Sequence, residues 1–236
     1  MATEAGKIIF YNNRRCPWAH RVHIALKELN LPFEEVTIDL DKPRTPEYLE
    51  INPAGLVPAL NHNGEILVES GVISQYLVDA YPSHLLPVSN APGGALRRAR
   101  ITLFVEAFQS KFNGPLQSSL FTANTDEEKE AVVEKAVEGL VKHVEPLLAD
   151  ASPFFGGSDK LTLAEVLTAS FVIRLKTVSD AELYPKSLGS KIAERAPNFT
   201  KWAEAVRAHP SVTANYDDDV IINGVKKRIA KLRAAA

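Results

Sequence analysis

Residues 7–29 read KIIFYNNRRCPWAHRVHIALKEL, and this stretch decides the fold of the first third of the chain. Its opening residues, 7–11, are apolar and β-prone, which predicts a strand. From Trp18 onward apolar residues recur at helical spacing, which predicts a helix. A strand followed directly by a helix is the start of a β-α-β unit. The apolar positions of the predicted helix are Ala19, Val22, Ala25, Leu26 and Leu29.

The following residues complete the first domain. Residues 33–38 alternate in polarity with a period of two, which predicts a second strand, and the long connection allows it to run parallel to the first. Asn63-Gly64 separates two apolar runs, a strong signal for a β-hairpin. Ser70 can cap a helix that ends before Pro82. The order β-α-β then β-β-α predicts an α/β, thioredoxin-like domain with a mixed four-stranded sheet over residues 1–82.

The rest of the chain predicts a linker and a second, all-helical domain. Residues 83–94 contain prolines and glycines without periodicity, which is typical of a linker. From residue 95 to residue 236 the apolar periodicity is helical. The predicted helices of this domain span residues 96–112, 127–148, 163–177, 189–195 and 199–208.

The C-terminal segment has an acidic tip and a basic body. Residues 217–219 are all aspartate, and lysines and arginines follow at 226–228, 231 and 233. This pattern predicts one more amphipathic helix. Because charge runs usually form solvated faces, we expect a solvated surface helix, with docking of a partner as the alternative.

Composition excludes several classes of function. Lys+Arg 27 against Asp+Glu 29 leaves a net charge of -2, so nucleic acid is not expected as a partner. The sequence has no leader-like apolar run and no segment near the ~20 apolar residues of a membrane span, so we expect a cytoplasmic protein without membrane contact. The single cysteine excludes an intramolecular disulfide and a cysteine-rich metal site. His20 and His23 share one predicted helix without a third ligand, so we expect no metal.

Cys16 lies between the first predicted strand and the first predicted helix. Pro17 favours the first turn of a helix, so the thiol is expected near the N-cap. Free N–H groups and the helix dipole favour a thiolate there and lower the pKa of such cysteines from ~8.5 to ~3.5–7.5. Positive charge is expected nearby from Arg14, Arg15, His20 and Arg21.

One alternative stays open for Cys16, since a lone cysteine often acts as a small buried apolar residue. The strand-to-helix position favours a reactive thiol instead. Ala19 stands where a Cys-x-x-Cys pair would have its second cysteine. A single thiol cannot resolve its own mixed disulfide, so an external thiol, most simply glutathione, must do so.

The motif Cys16-Pro17-Trp18-Ala19-His20-Arg21 resembles the active-site motif of cysteine-type cytosolic glutathione transferases, the Omega class and its relatives. The resemblance covers essentially the whole chain. It includes the loop at residues 52–58, the pair Glu69-Ser70 and a helix start at residues 161–165. It implies the glutathione transferase fold, glutathione as co-substrate and a homodimer.

The family places a lysine in the loop after the second strand, where it reaches the glycine carboxylate of glutathione. Lys42 fits by local context, although the stretch to Asn52 is slightly longer than the usual Omega spacing. Arg44 would restore that spacing. A solvated surface lysine is the remaining alternative.

The resemblance also implies how the rest of glutathione is held. Val57, before a cis Pro58, would offer its backbone N–H and C=O to the cysteinyl part, and a trans proline at a strand start is the alternative. Glu69 would hold the α-ammonium group. Ser70 would bind the α-carboxylate while capping the helix. The implied glutathione-binding residues are Pro17, Trp18, Lys42, Val57, Pro58, Glu69 and Ser70.

The pocket for the second substrate is expected between the two domains. Phe104, Phe108 and Phe112 recur every four residues and either line this pocket or pack in the core. Arg174 interrupts an apolar run and matches a pocket-facing arginine of Omega enzymes. The alternative for Arg174 is a position on the solvent face of its helix.

Thr162 and Glu165 form a capping box at the start of a predicted helix. Relatives usually carry aspartate at the position of Glu165, so this helix start is expected to differ slightly from theirs. We interpret the pair as a folding element without a catalytic role.

These residues together predict a glutathione-dependent thiol transferase/reductase of the Omega type. Cys16 would form a mixed disulfide with glutathione during deglutathionylation or dehydroascorbate-type reduction. Two alternatives stay open: a glutathionyl-hydroquinone reductase, whose motif is similar, and a non-catalytic glutathione- or ligand-binding module. Conjugation of aryl halides is expected to be weak, because that chemistry uses a serine or tyrosine hydroxyl to hold a glutathione thiolate.

Overall fold

The computed structural model describes residues 6–235. The first part of the chain follows the order β1 (Ile8–Asn12), α1 (Pro17–Glu28), β2 (Glu34–Thr37), α2 (Pro46–Ile51), β3 (Ala59–His62), β4 (Glu65–Val68) and α3 (Ser70–Ala80). The strands form one sheet in the order β2-β1-β3-β4. β1 and β2 are parallel, whereas β1–β3 and β3–β4 are antiparallel. The predicted mixed four-stranded, thioredoxin-like sheet is therefore confirmed.

The remainder of the described chain is helical, as predicted. Its helices are α4 (Gly94–Ala107), α5 (Gly114–Thr122), α6 (Asp126–Gly139), α7 (Leu163–Asp180), α8 (Ser187–Arg195), α9 (Pro197–Ala208), α10 (Pro210–Thr213) and α11 (Asp218–Ala235). None of the helices within residues 6–235 is long and apolar enough to cross a membrane. The domain boundaries at residues 82 and 95 stay a prediction.

Two helices of this part continue through irregular turns. Wide π turns at Phe108–Asn113 join α4 directly to α5. Similar turns at Leu140–Val144, followed by a 3₁₀ turn at Glu145–Leu148, extend α6. Gly139 allows these two segments to touch, because an added Cβ there would lie 2.1 Å from the carbonyl oxygen of Lys111. The two extended helices therefore pack backbone against backbone at this point.

α1 brings the turn that precedes it to the boundary between the two parts. β1 is a central strand, and the turn after it leads directly into α1. α1 is buried continuously from Ala19 to Leu26, because α3 and α7 both pack against it. The polar residues His20, Arg21 and His23 lie within this buried run. The charge of Arg21 and the hydrogen bonds of all three side chains therefore act at the boundary, away from bulk water.

The start of α3 differs from the sequence expectation. Glu69 occupies the N-cap position, and Ser70 is the first residue of the helix. Glu69 has φ 68° and ψ 113°, a strained conformation for a residue with a Cβ. No side chain caps this helix, so the expectation that Ser70 caps it is wrong. The Ser70 hydroxyl instead accepts a hydrogen bond from Nη1 of Arg21 at 3.4 Å.

The aromatic stripe that begins on α4 and continues into the π turns packs in the core and not in a pocket. Phe104, Phe108 and Phe112 are almost completely buried. Their rings pair with aromatic rings from other elements, including Phe104 with Trp202 at 5.4 Å and Phe112 with Phe199 at 5.4 Å between centroids. Edge-to-face pairs of this kind stabilise a core beyond simple burial. The expectation that this stripe lines the second-substrate pocket is therefore wrong.

The predicted capping box at the start of α7 is confirmed. Glu165 accepts hydrogen bonds from the backbone N–H and the hydroxyl of Thr162, at 2.8 and 2.7 Å. The same carboxylate also accepts from the backbone N–H of Phe155 at 2.8 Å and from Nε1 of Trp202 at 2.7 Å. Glu165 is completely buried. Four donors satisfy its oxygens, so the residue organises the helical part in agreement with a folding role.

α11 confirms the predicted C-terminal helix but not its predicted surroundings. It packs against α5 and α7. Ile221 is buried, and Val225 packs against the hydrophobic core. The expectation of a merely solvated surface helix is therefore wrong, because one face of α11 covers the space between the two parts of the chain.

Candidate active site

A cavity of about 870 Å³ lies where the turn before α1 meets the helical part. We call this space the cleft. One side is formed by the β1–α1 turn and the loop after β2, and the other by α5, α7 and α11. Such a space between two structural units is a common position for a small-molecule site. The polar and aromatic side chains from the first part are Arg15, Cys16, Trp18, Asp41 and Arg44.

Cys16 lies at the N-cap of α1 and lines the cleft, as the sequence predicts. Its Sγ is 3.5 Å from the carbonyl oxygen of Val57. The Val57–Pro58 peptide bond is cis, which confirms the expectation for this loop. Cys16 is half-buried and packs against the hydrophobic core. The turn therefore places a thiol between a small-molecule cavity and a backbone carbonyl group.

The protonation of Cys16 differs from the sequence expectation. Burial raises the pKa of the thiol above its usual value. The backbone N–H groups of Ala19 and Trp18 and the charges of Arg174 and Arg21 act in the opposite direction but do not outweigh it. The expected lowering of the pKa by the helix N-terminus is therefore wrong for this structure, because desolvation of the charged form is the larger effect.

The positive charge near Cys16 comes from fewer residues than expected. Arg15 lies in an ion pair with Asp41 at 3.2 Å. Burial and the charge of Arg174 lower the pKa of His20 well below its usual value, so this imidazole is neutral at neutral pH. Arg21 and Arg174 remain as the cations that act on the thiol.

Arg21 is a buried cation held between aromatic rings. Its guanidinium lies 4.5 Å from the Trp18 ring centroid and 4.9 Å from that of Phe171. Nη1 donates to the hydroxyl of Ser70, while Nε and Nη2 have no partner among the described residues. Burial lowers the pKa of Arg21 to about 9. The side chain is therefore still charged at neutral pH and lies between the thiol and the predicted α-carboxylate site.

Arg174 lies in the wall of the cleft and joins α7 to α1. Its Nη1 donates to Nδ1 of His20 and to the carbonyl oxygen of Ser170, each at 2.9 Å. Its Nη2 donates to the carbonyl oxygen of Arg14 at 3.1 Å. Arg174 is 8% exposed, so the alternative of a solvent-facing arginine is wrong. Burial lowers its pKa to about 10, which leaves the guanidinium charged at neutral pH.

Tyr216 extends this contact to α11 and was missed by sequence reasoning. Its ring stacks on His20 at 5.9 Å, and the Arg174 guanidinium lies 5.2 Å from its centroid. The Tyr216 hydroxyl is 2.7 Å from Oγ1 of Thr177, which donates to Asp218 at 2.6 Å. No motif surrounds Tyr216 in the sequence, because its role depends on packing between distant segments.

The loop after β2 contains both candidates for the glycine carboxylate. Lys42 is mostly exposed and pairs with Asp39 at 3.6 Å, and it does not line the cleft. Arg44 lines the cleft and donates from Nε to the carbonyl oxygen of Gly55 at 2.8 Å. Its Nη1 donates to the carbonyl oxygens of Asp39 and Lys42. The structure thus holds Arg44 in a fixed position and leaves Lys42 in solvent.

The other predicted glutathione-binding residues are brought together only in part. Pro17 and Trp18 line the cleft beside Cys16, and Trp18 is 41% exposed. Val57 touches the thiol but is not part of the cleft wall, and Glu69 is exposed at the start of α3. Within residues 6–235, no group of three or more His, Cys, Asp or Glu side chains is placed to hold a metal ion.

The first part of the chain matches a known family model. The model describes the "Glutathione S-transferase, N-terminal domain" and matches residues 10–85. These residues contain the β1–α1 turn, the cis peptide bond and the start of α3.

Individual proteins match most of the chain. Mouse "Glutathione S-transferase omega-1" is 28% identical over 214 residues, which is 90% of this chain and 82% of that protein. The "Pyrimidodiazepine synthase" of Drosophila melanogaster is 30% identical over 221 residues, again 90% of this chain and 82% of that protein. A rice glutathione S-transferase solved in complex with glutathione is 26% identical, with a TM-score of 0.80 over 97% of this chain and 99% of that structure.

Proposed function

The chain belongs to the glutathione transferase family and is an Omega-like member, and on this premise we propose that Cys16 makes it a thiol transferase/reductase. That the chain is a glutathione transferase enzyme follows from the family. The proposal concerns the finer chemistry: removal of glutathione from mixed disulfides and reduction of dehydroascorbate-type acceptors. The single observation that carries it is the position of Cys16, at the N-cap of α1 and in the wall of the cleft.

The surroundings of Cys16 support binding of glutathione next to the thiol. The backbone of Val57 is in contact with Sγ and would meet the cysteinyl part of the tripeptide. Ser70 lies at the first turn of α3 and is hydrogen-bonded to the Arg21 cation, a suitable environment for the α-carboxylate. Glu69 is exposed and available to the α-ammonium group. Lys42 and Arg44 are the two candidates for the glycine carboxylate.

The reaction proceeds in two exchanges of a sulfur–sulfur bond. In the first, the Cys16 thiolate attacks the glutathionyl sulfur of a mixed disulfide, the S–S bond breaks, and the substrate leaves as a thiolate that takes up a proton. In the second, the thiolate of a free glutathione attacks the glutathionyl sulfur bound to Cys16. Glutathione disulfide forms, and Cys16 is released as a thiolate. With dehydroascorbate as acceptor, two glutathiones supply two electrons and two protons and leave as the disulfide.

The protonation of Cys16 predicts how the rate depends on pH. The thiolate is the nucleophile, and the pKa of Cys16 is raised in the structure. The thiol is therefore mostly protonated at neutral pH, and kcat/KM should rise with pH through the neutral and alkaline range. Arg21 and Arg174 limit the rise in pKa.

The decisive experiment compares wild type with Cys16→Ser and Cys16→Ala in the reduction of a small glutathione mixed disulfide by glutathione. We expect both substitutions to reduce turnover by at least about a thousandfold, because neither side chain can form the intermediate. Binding of glutathione, measured by calorimetry, serves as the control for folding. Turnover by either variant at the wild-type rate would refute the role of Cys16. An inactive wild type that binds glutathione would favour the non-catalytic module.

A second assay distinguishes thiol transfer from two related activities, the reduction of glutathionyl hydroquinones and the conjugation of aryl halides. Wild type is compared on the mixed disulfide, a glutathionyl hydroquinone and a standard aryl halide. Higher kcat/KM on the glutathionyl hydroquinone would favour the alternative reductase. Comparable turnover of the aryl halide would count against the mixed-disulfide mechanism, since a cysteine forms a mixed disulfide with the glutathione that conjugation requires as a free thiolate.

We further propose a homodimer and a cytoplasmic location. Apolar side chains exposed on β4, α3 and α4 support the homodimer, because a second copy of the chain would cover them. They are Val68, Val72, Leu96 and Leu103. Light scattering on the full chain should give twice the mass of one chain, and a monomer at micromolar concentration would refute the dimer.

A further inference from the structure

The cleft contains much more positive than negative charge. Its lining includes the three basic residues Lys227, Arg228 and Lys231 from one face of α11. Arg15, Arg44 and Arg174 also line it, and Asp41 is the only carboxylate among the described lining residues. The net charge of the whole chain is only -2. The positive charge is therefore concentrated in the cleft and does not reflect a basic protein.

The carboxylate of Asp41 cannot neutralise these cations. It accepts from Nζ of Lys227 at 2.9 Å and from Nη1 of Arg15 at 3.2 Å, so two cations share one negative charge. Within residues 6–235, Arg228 and Lys231 form no ion pair with a carboxylate. The guanidinium of Arg228 lies instead 4.2 Å from the ring centroid of Phe121. The α11 side of the cleft thus presents cations without counter-charges.

The deeper wall also offers a cation with unused hydrogen-bonding capacity. Arg174 is buried and charged, and its Nε has no partner among the described residues. The neighbouring His20 is neutral, because burial and the Arg174 charge lower its pKa. A buried charge without a counter-ion is energetically costly unless a ligand of opposite charge pairs with it. The cleft therefore carries unbalanced positive charge in its wall as well as on α11.

Between these cations the cleft has flat apolar walls. Trp18 is the most exposed of them, and it packs edge to face on Phe171 at 4.9 Å. Phe121 contributes a ring beneath Arg228, and Tyr184 also lines the space. Rings of this kind suit the faces of an aromatic ligand.

We propose that the second substrate of the cleft is an aromatic anion, a ring system bearing a carboxylate, sulfonate or phosphate group. Its ring packs against Trp18 and Phe121, and its negative group pairs with Arg228 and Lys231. The catalytic part of this inference rests on the proposed function, since the ligand is then the thiol released from a glutathione mixed disulfide. The binding part does not depend on turnover.

The residues on α11 are separate from those assigned to glutathione. Glutathione is itself an anion, but its predicted contacts come from the β1–α1 turn, the loop after β2, the Val57–Pro58 loop and the start of α3. None of them lies on α11. The charge on α11 therefore adds selectivity for the second ligand and does not duplicate the binding of the first.

Equilibrium binding tests the anion preference without catalysis. Anilinonaphthalene sulfonate is compared with phenylnaphthylamine, which has the same rings without the sulfonate, by fluorescence titration of the full chain with and without glutathione. In wild type the sulfonate should bind about tenfold more tightly than the neutral probe. The double variant Arg228→Gln/Lys231→Gln should bring the two Kd values together. Added salt should weaken the preference, because partly exposed charges are screened.

The matched control removes two other cations of the same helix. Lys226 and Arg233 lie on α11 but do not line the cleft. Lys226→Gln/Arg233→Gln removes the same net charge and should leave the preference for the sulfonate as in wild type. An equal loss in the control and test variants would overturn the inference, since it would indicate a general effect of charge. An unchanged preference in the test variant would overturn it as well.

A catalytic arm uses two glutathione mixed disulfides that differ only in charge. One contains (mercaptomethyl)benzoate and the other (mercaptomethyl)benzamide, whose thiol leaving groups are similar because a methylene separates them from the ring. Wild type should prefer the benzoate about tenfold in kcat/KM, and the test variant should lose that preference. Equal kcat/KM in wild type would overturn the inference. If neither compound is turned over, the proposed function fails, and the binding arm alone decides the anion preference.

Discussion

Cys16 and Arg228 line the same cleft, but they come from opposite ends of the chain and their positions have different origins. The Cys16 side is built by a short local motif, in which a strand ends, a turn follows and Pro17 starts α1. The Arg228 side exists only because α11 packs against α5 and α7. The reactive group is thus determined by local sequence, whereas the selectivity of the cleft is determined by long-range packing.

A seam of buried polar contacts connects the two sides. His20 on α1 stacks on Tyr216, which precedes α11. His23 on α1 is hydrogen-bonded to the side chain of Asn215. Both histidines are buried. We therefore expect protonation of either histidine to weaken the contacts that hold the segment before α11 on α1.

The largest effect is expected from protonating this seam. Burial lowers the pKa of His23 to about 4, and it lowers that of His20 well below its usual value. Both folded-state pKa values lie below the unfolded value of about 6.5. As the pH falls below that value, the unfolded chain therefore binds more protons than the folded chain. The stability that comes from keeping these two histidines neutral is fully present above about pH 6.5 and is lost as the pH falls toward 4. His23 alone should cost about 2 kcal/mol between about pH 7 and pH 5, as measured by urea denaturation.

This prediction is tested by replacing one buried histidine and, as a control, one exposed histidine. His23→Gln removes the titrating group and should flatten the dependence of the unfolding free energy on pH. His143, which is exposed on the helical part, should have no such influence when replaced by glutamine. A pH dependence that is the same in wild type and His23→Gln would show that other groups dominate acid unfolding.

A smaller effect, on rate, is expected from Arg21 on the Cys16 side. Arg21→Gln removes one of the two cations that oppose the raised pKa of the thiol. The pKa of Cys16 should rise further. For each pH unit by which it rises, kcat/KM for thiol transfer at neutral pH should fall about tenfold. Arg21→Lys keeps the charge but not the planar stacking between Trp18 and Phe171, so it should restore the rate only in part.

The pH profile distinguishes an electrostatic role of Arg21 from a structural one. If Arg21 acts on the thiol, the rate of Arg21→Gln should approach that of wild type as the pH rises, because both thiols become ionised. A loss that is constant over the whole pH range would indicate a misplaced Cys16 or Ser70 instead. Thermal unfolding of both variants shows whether the fold is retained.

Sequence reasoning was most successful where neighbours in sequence determine the structure. The strands, the Asn63-Gly64 hairpin, the N-cap position of Cys16 and the Thr162–Glu165 capping box are all confirmed. Each depends on turn chemistry or capping within a few residues. The cis Val57–Pro58 bond was expected only from the resemblance to a family. Local patterns were therefore sufficient to predict the strands, the hairpin and the helix starts, but not the cis peptide bond.

The failures have other physical causes. α2 and α5 were not predicted, because α2 is short and α5 carries an early proline and continues from π turns. The Phe104 stripe has the same period in a pocket as in a core, and only tertiary contacts with α9 decide between them. The pKa of Cys16 depends on how deeply the folded chain buries it, which the helix N-cap does not determine. For the stripe and for the thiol the missing information is packing between distant segments, whereas α2 and α5 lack a clear local signal.

The smallest effect is expected at Asp41, where the two sides of the cleft meet. The Lys227 ammonium and the Arg15 guanidinium hold the pKa of Asp41 below its usual range. Asp41→Asn removes the carboxylate and leaves both cations unpaired in a cleft that is already positive. Because exposed ion pairs contribute little and are screened by salt, Kd for anilinonaphthalene sulfonate should decrease only about twofold at low salt and not at all at high salt.

The direction of the Asp41 effect distinguishes two roles for this ion pair. If α11 is held by its packing against α5 and α7, removing one exposed carboxylate leaves the helix in place, and the added positive charge favours the anion. If the contact between Lys227 and Asp41 holds α11 in place, the same substitution should weaken binding of the sulfonate and of the neutral probe alike. Weakening of both probes by more than about threefold at low salt, with the difference from wild type lost at high salt, would mean that α11 is attached to the Cys16 side by charge and not by packing.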